Sequence, residues 1–240
     1  MITNLKSSSL VIATACIFMA SLSSCRKNAD EVKEIITESE AAEIVEAAVS
    51  ERTAGAALST EEMARMAGST LDQCNQPGDT SFAFSNDYAG ASYAYQLGLD
   101  WLLSCSDLDV PQQLQFDMTG SGTFASVKWD GTQSSTGTLL LTGLDFQSAA
   151  YTLNGDYDYV GEITGDLRLV DPSLDCTIEI NLVDLQLDKD TYDITTGSGS
   201  IVLTVSNGRG QTQTLNGQLV FNGDGTATVT INNLSYTFDL

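Results

Sequence analysis

Carboxylates are the main side chains of this sequence that could bind a metal ion or take part in catalysis, because it contains 32 Asp and Glu residues and no histidine. Without histidine, the chain cannot support Ser-His-Asp or Cys-His catalysis, a histidine-ligated metal or a histidine pH switch. Closely spaced aspartates can coordinate Ca²⁺ through oxygen. The run Asp188, Asp190 and Asp193 is the best such candidate, so at most a structural Ca²⁺ and no other cofactor is predicted. The alternative is that these aspartates are solvated turn residues.

Glutamate could serve an enzyme only as a pair that flanks a substrate, as in a glycosidase. After residue 70 the sequence has two glutamates, Glu162 and Glu179, each in a strand-like segment. No pattern in the sequence brings them to one cleft. We therefore predict a protein that is not an enzyme.

Cysteine supplies a second kind of chemistry, at Cys25. Lys6 precedes an apolar run over 10–20 that is too short for a permanent membrane span, as in secretory signals. The residues that follow, Leu22-Ser23-Ser24-Cys25, resemble the bacterial lipobox. The resemblance implies a diacylglyceryl thioether and an acylated amine on Cys25, and Arg26 then favours the outer membrane. The alternative is an ordinary cleaved signal peptide and a soluble periplasmic chain.

Three cysteines remain after the leader and Cys25, in a compartment where disulfides persist. They are Cys74, Cys105 and Cys176, so one must be left over. We favour a Cys74–Cys105 disulfide over the pairings with Cys176, which would then be a buried thiol.

The net charge restricts the partners of the chain. It is −22 for the whole sequence and −23 without the leader, which removes only Lys6. Nucleic acid and anionic lipid surfaces attract Lys and Arg, so this charge argues against both as electrostatic partners. Contact with the membrane is therefore expected through the lipid anchor, and a glycan or an envelope protein remains as a candidate partner.

Composition divides the chain into a signal peptide over 1–24, a lipid-anchored helical spacer over 25–70 and a β-domain over 71–240. Apolar residues recur at helical spacing over 30–52. Ser59 and Glu62 form a capping-box pattern that predicts the start of a second helix, which Gly68 would end. The segment is interpreted as a solvated spacer, with a partner-binding or coiled-coil helix as the alternative.

The β-domain is indicated by short alternating apolar runs separated by Gly, Asn and Asp. Its acids are 20 aspartates against two glutamates, and aspartate favours turns over strand interiors. We predict ten to twelve strands in a mainly β, antiparallel β-sandwich or barrel-like domain with bent, bulged strands.

An internal repeat carries the prediction of bends. The segments 139–146, 178–185 and 229–236 each alternate, skip two places and resume alternation on the opposite parity. Because strand side chains alternate between faces, a bulge or corner is required at each skip. The skips fall at Thr142-Gly143, Asn181-Leu182 and Asn232-Asn233, and a two-residue hairpin would also suit the Asn-Asn pair.

Aromatic residues could form a glycan-stacking or interface surface if they were exposed on a flat sheet. The candidates are Tyr93, Tyr95, Trp101, Trp129, Tyr157 and Tyr159. The alternative is that they fill the core, which their alternation favours.

Several loose motifs resemble uncharacterised Bacteroidota-type lipoproteins: the lipobox, Cys74, Trp101-x-x-x-Cys105, Val110-Pro111 and the Leu-Asn-Gly repeats. No activity is implied by this resemblance. We predict a non-enzymatic outer-membrane lipoprotein that acts as a structural or binding module. The alternative is a carbohydrate-active surface protein that binds glycans or hydrolyses them.

Overall fold

The structure is a computed structural model that describes residues 34–88, 90–126, 128–165 and 173–240. Two α-helices come first, α1 (Glu38–Val49) and α2 (Ala56–Thr70), joined through a short 3-10 helix at Glu51–Thr53. Ten strands follow: β1 (Pro77–Tyr88), β2 (Ala91–Cys105), β3 (Pro111–Ser126), β4 (Trp129–Thr142), β5 (Ala150–Gly165), β6 (Ser173–Asp188), β7 (Ile194–Asn207), β8 (Thr212–Phe221), β9 (Thr226–Ile231) and β10 (Leu234–Asp239).

The strands form a single antiparallel sheet in chain order, from β1 at one edge to β10 at the other. The mainly β, antiparallel class predicted from the sequence is confirmed. The sheet is not closed into a barrel, and one sheet takes the place of the two layers of a sandwich. Each strand pairs with its neighbours in sequence, so short connections are sufficient throughout.

One face of the sheet, here called the inner face, carries the apolar residues. In β6 the residues Leu174, Cys176, Ile178, Ile180 and Leu182 are buried, whereas those between them are exposed. The same period of two runs through β2 to β9, as strand geometry requires. The outer face is polar and rich in threonine and serine, with cross-strand hydroxyl pairs such as Thr204–Thr214 at 3.1 Å and Thr228–Thr237 at 2.9 Å.

The helices lie against the inner face, and this corrects the prediction of a solvated spacer. Residues 34–240 form one compact unit, and Ile36, Ile44, Val45 and Met63 have no exposed surface. Of the 12 residues of α1, eight are buried. Four of the eight glutamates over 34–70, namely Glu43, Glu46, Glu51 and Glu61, line clefts beside this core. Residues 34–70 therefore contribute 16 of the 52 buried apolar residues of the described chain, and they pack against the chain's own sheet.

The helix starts also differ from the prediction. α1 begins after Thr37, whose hydroxyl accepts the Glu40 N–H while the Glu40 carboxylate accepts the Thr37 N–H, a complete capping box. α2 begins at Ala56, before the expected start at Ser59, and continues to Thr70, beyond the expected stop at Gly68. Ser59 is buried inside α2, where its hydroxyl donates to the Gly55 carbonyl.

The three skips of the repeat are resolved in three ways. β4 ends at Thr142 and the chain turns at Gly143, with φ of +76°. β6 continues through a bulge at 183–186, where Asp184 has φ of +51°, slightly later than predicted. Asn232 and Asn233, with φ of +49° and +68°, form the two-residue hairpin between β9 and β10. Positive φ at both central residues matches the right-handed twist of the strands.

The strand connections lie at two ends of the sheet. The Arg209 end contains, among described residues, Gly90, Lys128, 208–211 and 232–233. The Asp224 end contains 106–110, 143–149, 189–193 and 222–225. The chain enters the folded unit at the Arg209 end. Gln213, near the start of β8, accepts the N–H groups of Ile35 and Ile36 at 2.6 and 3.0 Å and donates to the Ile36 carbonyl.

Candidate functional site

Cys25, the predicted lipidation site, lies outside the described residues, as does the signal peptide. Within the described residues, no helix has the length and apolar character needed to cross a membrane. The folded unit begins at Glu34, nine residues after Cys25. The anchor and the compartment therefore stay predictions.

The predicted disulfide between Cys74 and Cys105 is confirmed. It joins the segment before β1 to the end of β2, and the Asn75 N–H donates to the Leu103 carbonyl alongside. Cys176 is a free, buried thiol on the inner face of β6, and burial raises its pKa to about 12. A thiol with so high a pKa is a poor nucleophile at neutral pH.

Asp188, Asp190 and Asp193 lie in or beside the turn between β6 and β7. The Asp188 carboxylate accepts the N–H groups of Asp190 and Thr191 at 2.8 and 2.9 Å, and these bonds lower its pKa. Its turn-capping role is sufficient to explain its position. Throughout the described stretches, no three Asp, Glu or Cys side chains are grouped as a metal ion would require.

The calcium site consequently remains a prediction with a direct test. A rise in the melting temperature in excess Ca²⁺, absent in Mg²⁺ and abolished by Asp190→Asn, would support it, because a ligand stabilises the state that binds it. An unchanged melting temperature would contradict it.

The six candidate aromatics belong to the inner face. Tyr95, Trp101, Trp129, Tyr157 and Tyr159 are buried, and Tyr93 is partly buried against the same core. The ring of Trp101 lies over Gly78 on β1, where a Cβ would be only 2.1 Å from it. The Tyr95 hydroxyl pairs with Ser135 at 2.7 Å. These six residues therefore form no exposed stacking platform.

Glu162 and Glu179 lie on the outer face of neighbouring strands. Glu162 accepts the Ser173 hydroxyl at 2.9 Å and is opposite Asp175, while Glu179 is opposite Asp158. Asp158 and Glu162 are four residues apart on β5, so the two glutamates are separated by about 13 Å along an open sheet face. That arrangement provides no cleft in which both could reach one sugar bond.

A cleft of about 830 Å³ lies where α1 and the 3-10 helix meet the strand ends. Glu43 forms an ion pair with Lys128, and Arg52 pairs with Asp239 at 3.0 Å. Burial and then the nearby Glu43 raise the pKa of Glu46, which also lines this cleft. We call it the seam cleft; it offers charges of both signs beside the partly apolar walls formed by Ala47, Ala91, Trp129 and Leu240.

A second, acidic cavity of about 360 Å³ lies on the other side of Glu51. Carboxylates line it from four segments, and they are Glu51, Glu61, Asp188, Asp193 and Asp224. Burial, followed by the hydrogen bond with Glu51, raises the pKa of Glu61 far above the usual range of glutamate. Glu61 is therefore held in its protonated form, and its carboxyl group forms a hydrogen bond with that of Glu51.

Sequence reasoning missed both cavities. Their walls come from the helical segment, which the sequence assigns to a separate spacer, and from strand ends and turns that are distant from it in the chain. The one feature of the sequence that could have indicated these cavities is the concentration of glutamate between Glu38 and Glu62, among apolar residues that are buried.

Comparison of the chain with protein-family models, with curated proteins and with solved structures yields no match.

Proposed function

We propose that this chain is a non-enzymatic outer-membrane lipoprotein, whose folded unit is a structural or binding module held at the cell envelope by acyl groups on Cys25. The observation that carries the proposal is the lipobox-like Leu22-Ser23-Ser24-Cys25 behind a secretory apolar run, only nine residues before the folded unit. An anchor so close to the folded unit holds it beside the membrane.

The distribution of chemical groups supports a module that binds or supports other envelope components. The candidate aromatics are committed to the core, and Glu162 and Glu179 are far apart on an open face. The carbohydrate-active alternative needs exposed rings or a facing carboxylate pair, and these residues supply neither. The seam cleft, with ion pairs and half-buried Glu46, is the surface on which we expect a polar partner from the envelope.

The test compares wild-type protein with Cys25→Ser in a bacterial host that processes lipoproteins. Wild type is expected in the membrane fraction with acyl mass on its first mature residue, because several acyl chains give stable anchoring. The Cys25→Ser chain is expected in the soluble envelope fraction, folded and with its disulfide formed.

Cys176→Ala is the matched control, since it removes a buried cysteine and leaves the proposed anchor in place. This variant is expected in the membrane fraction. A Cys25→Ser chain that stays in the membrane fraction would show that something else attaches the protein.

A further inference from the structure

We infer that the Arg209 end of the sheet faces the lipid surface to which Cys25 is attached, and that the Asp224 end points away from it. The inference rests on the proposed function, because it takes acylated Cys25 as the fixed point. It concerns which surface of the folded unit lies against the lipid headgroups.

The first argument is the position at which the chain leaves the folded unit. Gln213 holds the backbone of Ile35 and Ile36 through three hydrogen bonds, at the beginning of β8. Glu38 accepts a hydrogen bond from Asn232 in the β9–β10 hairpin at 3.3 Å. Both contacts place the first described residues at the Arg209 end.

The second argument is the reach of the connecting chain. Eight residues lie between Cys25 and Glu34, and the nine residue steps that join them span at most about 30 Å when the chain is fully extended. β8 continues for eight residues beyond Gln213, to Phe221, so the Asp224 end begins about 26 Å from Gln213 along that strand. The connecting chain could bring the Asp224 end to the lipid only if it were stretched almost to its limit along the sheet.

The third argument is the charge of the two ends. Turns at the Asp224 end carry six aspartates and one lysine, Lys189. Described turns at the Arg209 end carry Lys128, Arg209 and no carboxylate, and Lys128 is paired with Glu43. The connection 166–172 adds, by sequence, one arginine and two aspartates. Glu38 and Glu43 add two carboxylates to the Arg209 end, which is still less acidic than the Asp224 end. Anionic headgroups therefore repel the Asp224 end more strongly and favour the Arg209 end beside the membrane.

A competing orientation would use exposed apolar residues at the Asp224 end. Leu108 and Phe146 are 85% and 101% exposed at turns of that end. Each is adjacent to aspartate: Asp107 and Asp109 flank Leu108, and Asp145 precedes Phe146. Insertion of these tips would carry carboxylates into the headgroup layer, which is unfavourable for an anionic lipid surface.

The experiment uses the full acylated chain, reconstituted into vesicles of phosphatidylethanolamine and phosphatidylglycerol that contain a headgroup spin-labelled lipid. A fluorophore is attached to Gly208→Cys at the Arg209 end or to Gln147→Cys at the Asp224 end. An added Cβ at Gly208 meets nothing within 4 Å, and Gln147 contributes its backbone N–H to Asp145. Labelling is selective because Cys176 is buried and Cys74 and Cys105 are bonded.

We expect quenching by the spin-labelled lipid to be several-fold greater at position 208 than at position 147. Equal quenching, or greater quenching at 147, in a chain that carries acyl mass would overturn the inference while leaving the proposed function intact. A chain without acyl mass that the vesicles do not retain, like the Cys25→Ser control, would instead overturn the proposed function and its dependent inference together.

Discussion

Two aspartates of this protein, Asp145 and Asp188, bind the backbone of their own turns. The Asp145 carboxylate accepts the N–H groups of Gln147 and Ser148, both at 2.8 Å, and Asp188 does the same for its turn. The Ser148 hydroxyl, which donates to Asp145 at 2.6 Å, and these backbone N–H groups favour the charged form and lower the pKa of both carboxyl groups. Eleven of the 20 aspartates after residue 70 nevertheless lie within strands, so turn capping accounts for only part of their abundance.

Glu61 behaves in the opposite way, and its protonation links stability to pH. Its raised pKa means that the folded state binds a proton which the unfolded state releases near pH 4.5. Stability from this group is present below that pH and is lost as pH rises above it. We expect Glu61→Gln to stabilise the protein relative to wild type, and more at pH 8 than at pH 5, in urea unfolding.

The matched control is Glu179→Gln, which removes one negative charge from the exposed outer face. Its effect should be small and nearly independent of pH over this range. Equal gains for both variants at the two pH values would show that general charge reduction, rather than the Glu61–Glu51 pair, is responsible.

Cys176 provides a second test at a single residue. Burial on the inner face and the pKa of about 12 should prevent its reaction with a maleimide or disulfide reagent at pH 8 in the folded protein. In denaturant the thiol should react rapidly and stoichiometrically, as measured by intact mass. Fast labelling of native protein would contradict its position in the core.

At the scale of elements, the two helices show how a buried segment can resemble a solvated one. α1 and α2 contain many alanines, and their side chains allow close packing against the sheet and between the helices. A helix that is apolar on most sides belongs inside a protein. Glu43 and Glu46 lie at the rim of this packing and line the seam cleft.

Gln213 connects the residues before α1 to β8, and its removal should lower the stability of the folded unit. Gln213→Ala leaves the N–H groups of Ile35 and Ile36 without their acceptor, which should cost about 1–3 kcal/mol of unfolding free energy. Urea denaturation measures the loss. Gln218→Ala is the matched control, because Gln218 lies on the same strand and faces outward, and it should change stability by less than about 0.5 kcal/mol.

Hydrogen exchange gives the same prediction an independent readout. In Gln213→Ala the amides at the start of α1 should exchange faster than in wild type, while those of β3 and β4 stay protected. If Gln213→Ala and Gln218→Ala have the same stability, then Gln213 does not hold the first residues of the folded unit.

The repeat illustrates a limit of element prediction. Parity of the apolar residues correctly required an interruption at each of three places, because all copies must keep their apolar residues on one face. It could not choose between a chain reversal, a bulge and a hairpin. Local residues made that choice, with Gly143 and the Asn232-Asn233 pair each accepting positive φ.

At the scale of the whole molecule, the main prediction is that the β-strands do not fold without the helices. A chain that starts at Leu71 loses α1 and α2, and leaves the inner face of the sheet exposed. We expect it to aggregate or to show no cooperative thermal transition by circular dichroism, whereas a chain that starts at Glu34 should melt cooperatively. A cooperative transition in the shorter chain would restore the spacer interpretation.

Several properties of this protein could be determined from the sequence by itself. Alternation with a period of two specified strands, the turn residues specified their number, and the parity of the repeat specified the interruptions. The cysteine count left one thiol over, and the Cys74–Cys105 disulfide and the buried Cys176 agree with the pairing we favoured. These are local properties, since they depend on residues close together in the chain or on a simple count.

Tertiary structure decided the role of residues 34–70, the faces of the aromatics and the existence of the two cavities. Each depends on which distant surfaces cover one another, such as Gln213 with Ile36 or Glu61 with Glu51. An apolar helical stripe is compatible with any apolar partner, so its pattern cannot identify the sheet that buries it. Burial then set the protonation of Glu61 and of Cys176, which their positions in the sequence could not reveal.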